Sequence, residues 1–259
     1  MRLDKYLAHM GAGTRKEVKK VIRDGLVTVG GRKATDPGIK VEETDEVCLN
    51  GRPLRYEQYV YYMLNKPAGV VSATEDPREE TVIDLIRQGA EDVQAMLRTG
   101  LFPVGRLDKD TEGLLIITND GALAHRLLSP GKHVDKVYFA RLDGPVGARE
   151  RALFAAGLRV DDGFTAMPAQ LRLADPETGT LPVDAENSSG SAGDPTSVSD
   201  QVFVTIREGK YHQIKRMFEA VGREVIYLKR ISMGALTLDP SLAPGQWRRL
   251  TNDELSAIM

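Results

Sequence analysis

The chain has 259 residues, 41% of them hydrophobic, enough for one large folded unit or a small one beside a medium one. Its net charge of −2 is not that of a uniformly basic nucleic-acid binder, but the charge is unevenly placed. Between Leu173 and Ile206 stand six acidic residues and no Lys or Arg, and without them the balance becomes +4, so local patches outweigh the total. Cys48 is the only cysteine, which excludes an internal disulfide and a cysteine-based zinc site. No apolar run approaches the roughly 20 residues that span a bilayer, and no apolar segment follows Arg2, Asp4 and Lys5. The expectation is a cytoplasmic protein without a membrane partner.

Leu3, Tyr6, Leu7 and Met10 fall at i, i+3, i+4 and i+7, the spacing of an amphipathic helix, which Gly11 and Gly13 end. Thr14 and Glu17 form a capping-box start for a second helix, with Val18, Val21 and Ile22 as its buried stripe and Gly25 as its stop. Val27 to Ala34 reads as a hairpin around Gly30-Gly31, and a further strand near Glu46 to Asn50 turns at Asn50-Gly51. The second helix carries Arg15, Lys16, Lys19, Lys20 and Arg23 away from its apolar stripe. Such a face is either plain solvated surface or a row of cations that neutralises phosphates.

Residues 52 to 60 read as a short polar linker, and 61 to 250 as one mixed domain. Strands are expected at Val60–Leu64, Leu114–Thr118, Tyr138–Leu142, Val202–Ile206, Glu224–Lys229 and Leu236–Leu238. Helices are expected at Val82–Arg87, Gly121–Leu128, Ala148–Ala156 and Tyr211–Val221, and Thr251 with Glu254 caps a last short one. Strands and helices mix without strict alternation, which argues an α+β fold with a mixed, largely antiparallel sheet flanked by helices. The stretch 175–200 is rich in Ser, Gly, Pro and acids and too poor in apolar residues to offset its ordering entropy; it reads as a disordered insertion.

The candidate chemistry centres on GRLDKDTEGLLIITNDG, Gly105 to Gly121, which sets Asp108 in a polar turn just before a run of β-formers. By composition alone Asp108 is a turn residue. The eleven residues GRLDKDTEGLL, however, resemble the catalytic motif of the RsuA/RluA superfamily of pseudouridine synthases. LNKPAGVVSAT (64–74) resembles the family's KPxG loop, Lys136-Val137-Tyr138 its K-x-Y motif, EGKYHQIKRMFEAVG (208–222) its third core motif, and LAPGQWRRLT (242–251) its C-terminal strand. Residues 1–58 resemble the alpha-L, ribosomal protein S-four-like, RNA-binding module, and 61–259 the catalytic domain.

The resemblance implies a set of roles. Asp108 would be the nucleophile, Tyr138 the aromatic face for the extruded uracil, and Lys215 the cation that pairs with Asp108, with Arg216 in reserve. A base acted on inside folded RNA must leave its stack, and Arg106 matches a residue that fills the vacated space. Lys66 would be a rim lysine near phosphate, and His212 a structural or RNA-contacting residue. With Arg15, Lys16, Lys19, Lys20 and Arg23 these make up the expected RNA contacts. Nothing is oxidised or transferred in the implied reaction, so no cofactor is expected, and His9, His125, His133 and His212 lack metal spacing.

The form YHQIKRM, together with G-R-L-D, resembles the RsuA branch, which implies 16S rRNA or the assembling small subunit as partner, uridine 516 as target and a monomeric enzyme. The RluB, RluE and RluF branch, acting on 23S rRNA, is the alternative. A non-catalytic ribosome-assembly protein is another, and so is a hydrolase with Asp110 or Glu112 as second carboxylate.

Overall fold

A computed structural model describes residues 1–42, 44–54, 58–88, 100–161, 163–175 and 197–259. The expected insertion thus lies almost wholly outside the described residues.

The N-terminal module consists of α1 (Leu3–His9), α2 (Arg15–Arg23) and four short strands, β1 (Val27–Val29), β2 (Arg32–Lys33), β3 (Val47–Leu49) and β4 (Arg52–Leu54). The sheet runs β2-β1-β3-β4, all antiparallel. Its core holds Leu3, Tyr6, Leu7, Val18, Ile22, Val27, Val41 and Val47, the same apolar spacing that the helices show in sequence. The capping box on α2 is complete: the Thr14 backbone N–H donates to Glu17 Oε2 at 2.7 Å, and the Glu17 N–H to Thr14 Oγ1 at 3.4 Å. Residues 52 to 54, expected as linker, instead pair as β4, because Asn50-Gly51 turns the chain back on β3. Both turn residues have positive φ, which Asn and Gly tolerate.

The second part is built on β5 (Tyr61–Lys66), α3 (Val82–Gln88), β6 (Phe102–Pro103), β7 (Glu112–Thr118), α4 (Gly121–Leu128), β8 (Lys136–Val146) and α5 (Ala148–Ala156). It continues through β9 (Arg159–Asp161), β10 (Phe164–Thr165), β11 (Gln170–Leu173), β12 (Ser199–Ile206), α6 (Gln213–Glu219), β13 (Val225–Met233), β14 (Leu236–Thr237), β15 (Trp247–Arg249) and α7 (Asn252–Ile258). One sheet runs β11-β12-β8-β13-β7-β5-β15, with β14 on β13 and β6 on β7. Every pair is antiparallel except β13 with β7. The α+β class and the largely antiparallel sheet are as expected.

Both faces of this sheet are covered, so its central strands read as nearly continuous apolar runs. Alternation still divides the side chains. Tyr62, Leu64, Leu115, Ile117, Tyr138 and Val204 face α3, α5 and α6, which contribute Ile83, Phe154 and Phe218. Met63, Leu114, Ile116 and Met233 face α4 and α7, through Leu123, Leu127 and Ile258. The functional loops gather on the first of these faces.

The β9–β10 hairpin and β11 have no counterpart in the expected elements. They are two to four residues long, too short for a period-2 pattern to register. The helix expected from Tyr211 begins at Gln213, because His212 sits at φ 48°, in the left-handed region that no α-helix continues through.

Candidate active site

Asp108 lies in the loop between β6 and β7, and that loop is tied from one side by the strap that follows β5. The Lys66 ammonium donates to three carbonyl oxygens, of Pro67 at 2.9 Å, Lys109 at 3.2 Å and Thr111 at 2.9 Å. The Gly69 N–H donates to Lys109 O at 2.7 Å. Ser72 closes the clamp: its hydroxyl donates to Leu107 O at 2.9 Å and accepts from Leu107 N at 3.1 Å. Lys66 is therefore not a rim residue facing phosphate. It is 0% exposed, and burial lowers its pKa to about 8 against the opposing charges of Asp110, Asp108 and Glu112. Its three protons are already taken, so it is corrected from an RNA contact to a fastener of the Asp108 loop.

Gly113, at the start of β7, has φ 102°, and a Cβ there would lie 2.2 Å from the Arg230 carbonyl oxygen. The motif's glycine is thus demanded by the parallel approach of β7 and β13, paired at Arg230 and Gly113.

From the other side α6 brings its N-terminal turn over the carboxylate. Lys215 Nζ stands 3.7 Å from Asp108 Oδ2 and His212 Nε2 3.6 Å from Oδ1. Lys215 bonds more closely to Asp110, at 2.6 and 2.7 Å. Asp110 is drawn below the usual carboxylate range: burial raises it, but the hydrogen bond and charge of Lys215 outweigh that. Lys215 therefore bridges two carboxylates, where the sequence suggested one. Asp110 is spoken for, and Glu112 accepts from the Tyr227 hydroxyl at 2.7 Å, so neither stands free as the acid–base partner a hydrolase would need.

Asp108, 28% exposed, opens into a cavity that it shares with Tyr138, Thr111, Ile206, Leu228, Ile214 and Arg106. Tyr138 is buried on β8, flanked by Val204 of β12 and Arg230 of β13. Arg106 is exposed at the cavity's edge. Asp108, Tyr138, Lys215, His212 and Arg106 thus converge. Arg216 does not: its guanidinium pairs with Asp161 and lies over the Phe164 ring at 5.1 Å, holding the β9–β10 hairpin. Arg216 is therefore not the second partner of Asp108, and its charge is engaged by Asp161.

Sequence reasoning passed over two further residues. Ser72 carries the clamp just described. Buried Gln213 holds the turn before α6: its side-chain oxygen accepts from Lys210 N at 3.0 Å, and its amide donates to Glu208 Oε1 at 2.8 Å. Ser72 lies within the 64–74 motif and Gln213 within the 208–222 motif, but only the fold supplies their partners. In the N-terminal module, Arg15, Lys16, Lys20 and Arg23 are exposed along α2, with Lys19 half-buried, opposite the buried Val18 and Ile22. No group of three or more metal-ligating side chains occurs among the described residues.

Lys215 thus stands between Asp108 and Asp110 at the mouth of a small pocket with the Tyr138 ring in its wall, a partly buried, charged arrangement of the kind an enzyme's active site uses. Residues 60–220 match the family model for RNA pseudouridylate synthase, and residues 1–54 that of the S4 domain. The chain belongs to the RNA pseudouridylate synthase family.

It is 45% identical over 259 residues to the uncharacterised RNA pseudouridine synthase YtzG of Bacillus subtilis, covering 100% of this chain and 98% of that one. It is 38% identical to ribosomal small subunit pseudouridine synthase A of Pseudomonas aeruginosa, over 100% of both. Ribosomal large subunit pseudouridine synthase B of Bacillus subtilis is 35% identical over 99% of this chain and 95% of its own. A solved pseudouridylate synthase matches over 100% of both chains with a TM-score of 0.61 and 32% identity.

Proposed function

We propose that this protein isomerises one uridine of ribosomal RNA to pseudouridine, with Asp108 as nucleophile and no cofactor. The observation that carries the reading is the seating of Asp108: beside Lys215 and His212, at the mouth of a cavity walled by Tyr138. In the reaction the bond between ribose carbon 1′ and uracil nitrogen 1 breaks, the base turns, and carbon 5 joins carbon 1′. The carbon 5 proton leaves and nitrogen 1 gains one, so the product is an isomer. Asp108 adds to the sugar carbon, or takes a proton from the carbon beside it, and is restored when the new bond closes. Lys215 supplies compensating positive charge. Tyr138 offers its ring to the uracil and its hydroxyl to the departing carbon 5 proton. Arg106, at the rim, enters the space the base leaves.

The finer reading is the small-subunit enzyme, acting on uridine 516 of 16S rRNA as a monomer in the cytoplasm. It is supported by the Tyr211-His212-Gln213 form of the turn before α6 and by the small-subunit relative, which matches end to end. The exposed cations of α2 would hold the RNA backbone.

The test is to map pseudouridines in rRNA from cells with the gene, without it, and with Asp108→Ala. One pseudouridine should vanish in the last two, while the purified variant binds rRNA nearly as wild type does. Full modification by Asp108→Ala would end the proposal. A loss confined to 23S rRNA would move the protein to the large-subunit branch.

A further inference from the structure

Opening from the Asp108 cavity, and sharing Arg106, Asp108 and His212 with it, runs a groove whose Leu128, Met167 and Tyr211 wall the chemistry above does not use. Among the described residues nine large hydrophobic side chains are exposed, and three of them line this one groove: Leu128 at 42%, Met167 at 38% and Tyr211 at 70%, the most exposed of the nine. Scattered apolar residues on a surface need no explanation, but three gathered in one concavity do. The groove's lining also carries Arg106, Lys109, Lys136 and Lys210 against Asp108 and Glu208, so positive charge is in excess beside the apolar wall.

Tyr211 stacks on His212 with ring centroids 3.8 Å apart and planes 18° apart, leaving its other face to solvent. The turn that carries the pair is held firmly. Gln213 fastens Lys210 and Glu208, Glu208 accepts from Met167 N at 2.8 Å, and Tyr211 O accepts from Arg216 at 3.3 Å. A fixed aromatic plane beside cations matches one kind of occupant best, an unpaired nucleotide. Its base would stack on the ring and its phosphate would lie by Lys210.

His212 joins the two places. It lines both groove and cavity, and its Nε2 lies 3.6 Å from Asp108. We infer that Tyr211 and His212 form a stacking shelf for the base next to the target uridine, so that the enzyme grips an unstacked neighbour while it isomerises the target. This rests on the proposed RNA-modifying function and adds to it a second, sequence-tolerant nucleotide subsite. Stacking accepts any base, so the shelf would read the RNA's unpaired state rather than its letters.

The experiment measures affinity and turnover separately on transcripts tiling the 16S and 23S rRNAs, using the fragment that binds most tightly. An abasic nucleotide is then placed in turn at each of the nearest positions on both sides of the target uridine. Where no uridine is isomerised, it is scanned along the fragment's loop. Tyr211→Ala should weaken binding about tenfold to a hundredfold, the range of one base–aromatic stack, and Tyr211→Phe should restore it.

One abasic position should cost the wild type as much as Tyr211→Ala does, and should cost that variant nothing further. Melting temperatures of the variants guard against misfolding. The shelf is overturned if Tyr211→Ala binds every fragment as wild type does, which would leave the groove to a protein partner. Equal losses for both proteins at every abasic position would overturn it too. Absence of pseudouridine with the binding cycle intact would sink the proposed function and leave the shelf standing.

Discussion

Replacing Lys66 with Met should separate stability from activity. The side chain is 0% exposed, and its pKa falls from 10.5 to about 8 because burial disfavours the charged form. At neutral pH that difference costs the native state about 3 kcal/mol, at roughly 1.4 kcal/mol per unit. Methionine keeps the apolar stem and removes the cost, but leaves the Pro67 and Thr111 carbonyls short of a donor, at about 1–3 kcal/mol each. Lys109 O retains its bond from Gly69. The opposing effects leave the variant between about 1 kcal/mol more stable and about 3 kcal/mol less stable than wild type.

Activity should not be spared. Two of the three bonds, to the Lys109 and Thr111 carbonyls, set where the loop carrying Asp108 sits, and misplacing a reacting group by about 1 Å costs on the order of a hundredfold in rate. Single-turnover pseudouridine formation and thermal melts on the same preparations check both halves. Normal turnover in a folded Lys66→Met protein would refute the reasoning.

The pH dependence has a definite sign. Below about pH 8 Lys66 is protonated in both native and unfolded chains, so the native state bears the full burial cost. Between about 8 and 10.5 the unfolded chain binds more protons than the native one, so the cost lifts and this group's contribution to stability rises. The stability gap between wild type and Lys66→Met should therefore move toward wild type by up to about 3 kcal/mol over that window. Wild-type turnover should meanwhile fall, because a neutral amine has two protons for three carbonyls.

Gly113→Ala should lower stability by about 3 kcal/mol or more, as for severe backbone clashes, since its Cβ would lie 2.2 Å from a neighbouring strand's carbonyl oxygen; a melting temperature unchanged from wild type would contradict the packing described. Replacing Lys16, Lys19 and Lys20 with Gln should weaken rRNA binding and flatten its salt dependence, by about 0.7–0.9 in log–log slope for each phosphate left without its cation. An unchanged slope in a salt titration would mean that α2 does not touch RNA.

Much of the fold was legible where a residue's role depends on near neighbours. The ranges of α4 and α5, the Thr14–Glu17 box and its counterpart at Thr251 and Glu254 rest on interactions within one or two turns, which spacing alone reveals. Asp108, Tyr138 and Lys215 were found through motifs, and the fold brings them to one cavity edge. Lys66 was misjudged because its partners lie 43 and 45 residues away. A lysine before proline looks like any surface turn until the chain closes over it. Arg216 was misjudged for the same reason, its partner Asp161 being on a hairpin too short to show in the pattern. The preference of Lys215 for Asp110 is likewise a matter of reach, invisible to spacing.

The order in which the central strands enter the sheet bears on how the protein is made. The strand Val225–Met233 lies between Lys136–Val146 and Glu112–Thr118, so the two halves of the sheet have no joint until nearly the whole chain has left the ribosome. The first 54 residues need no such delay, for their apolar interior draws only on residues 1 to 54. A nascent molecule would therefore own a finished RNA-docking head well before it owned a reactive centre, and could find its substrate without harm to it while synthesis ran on.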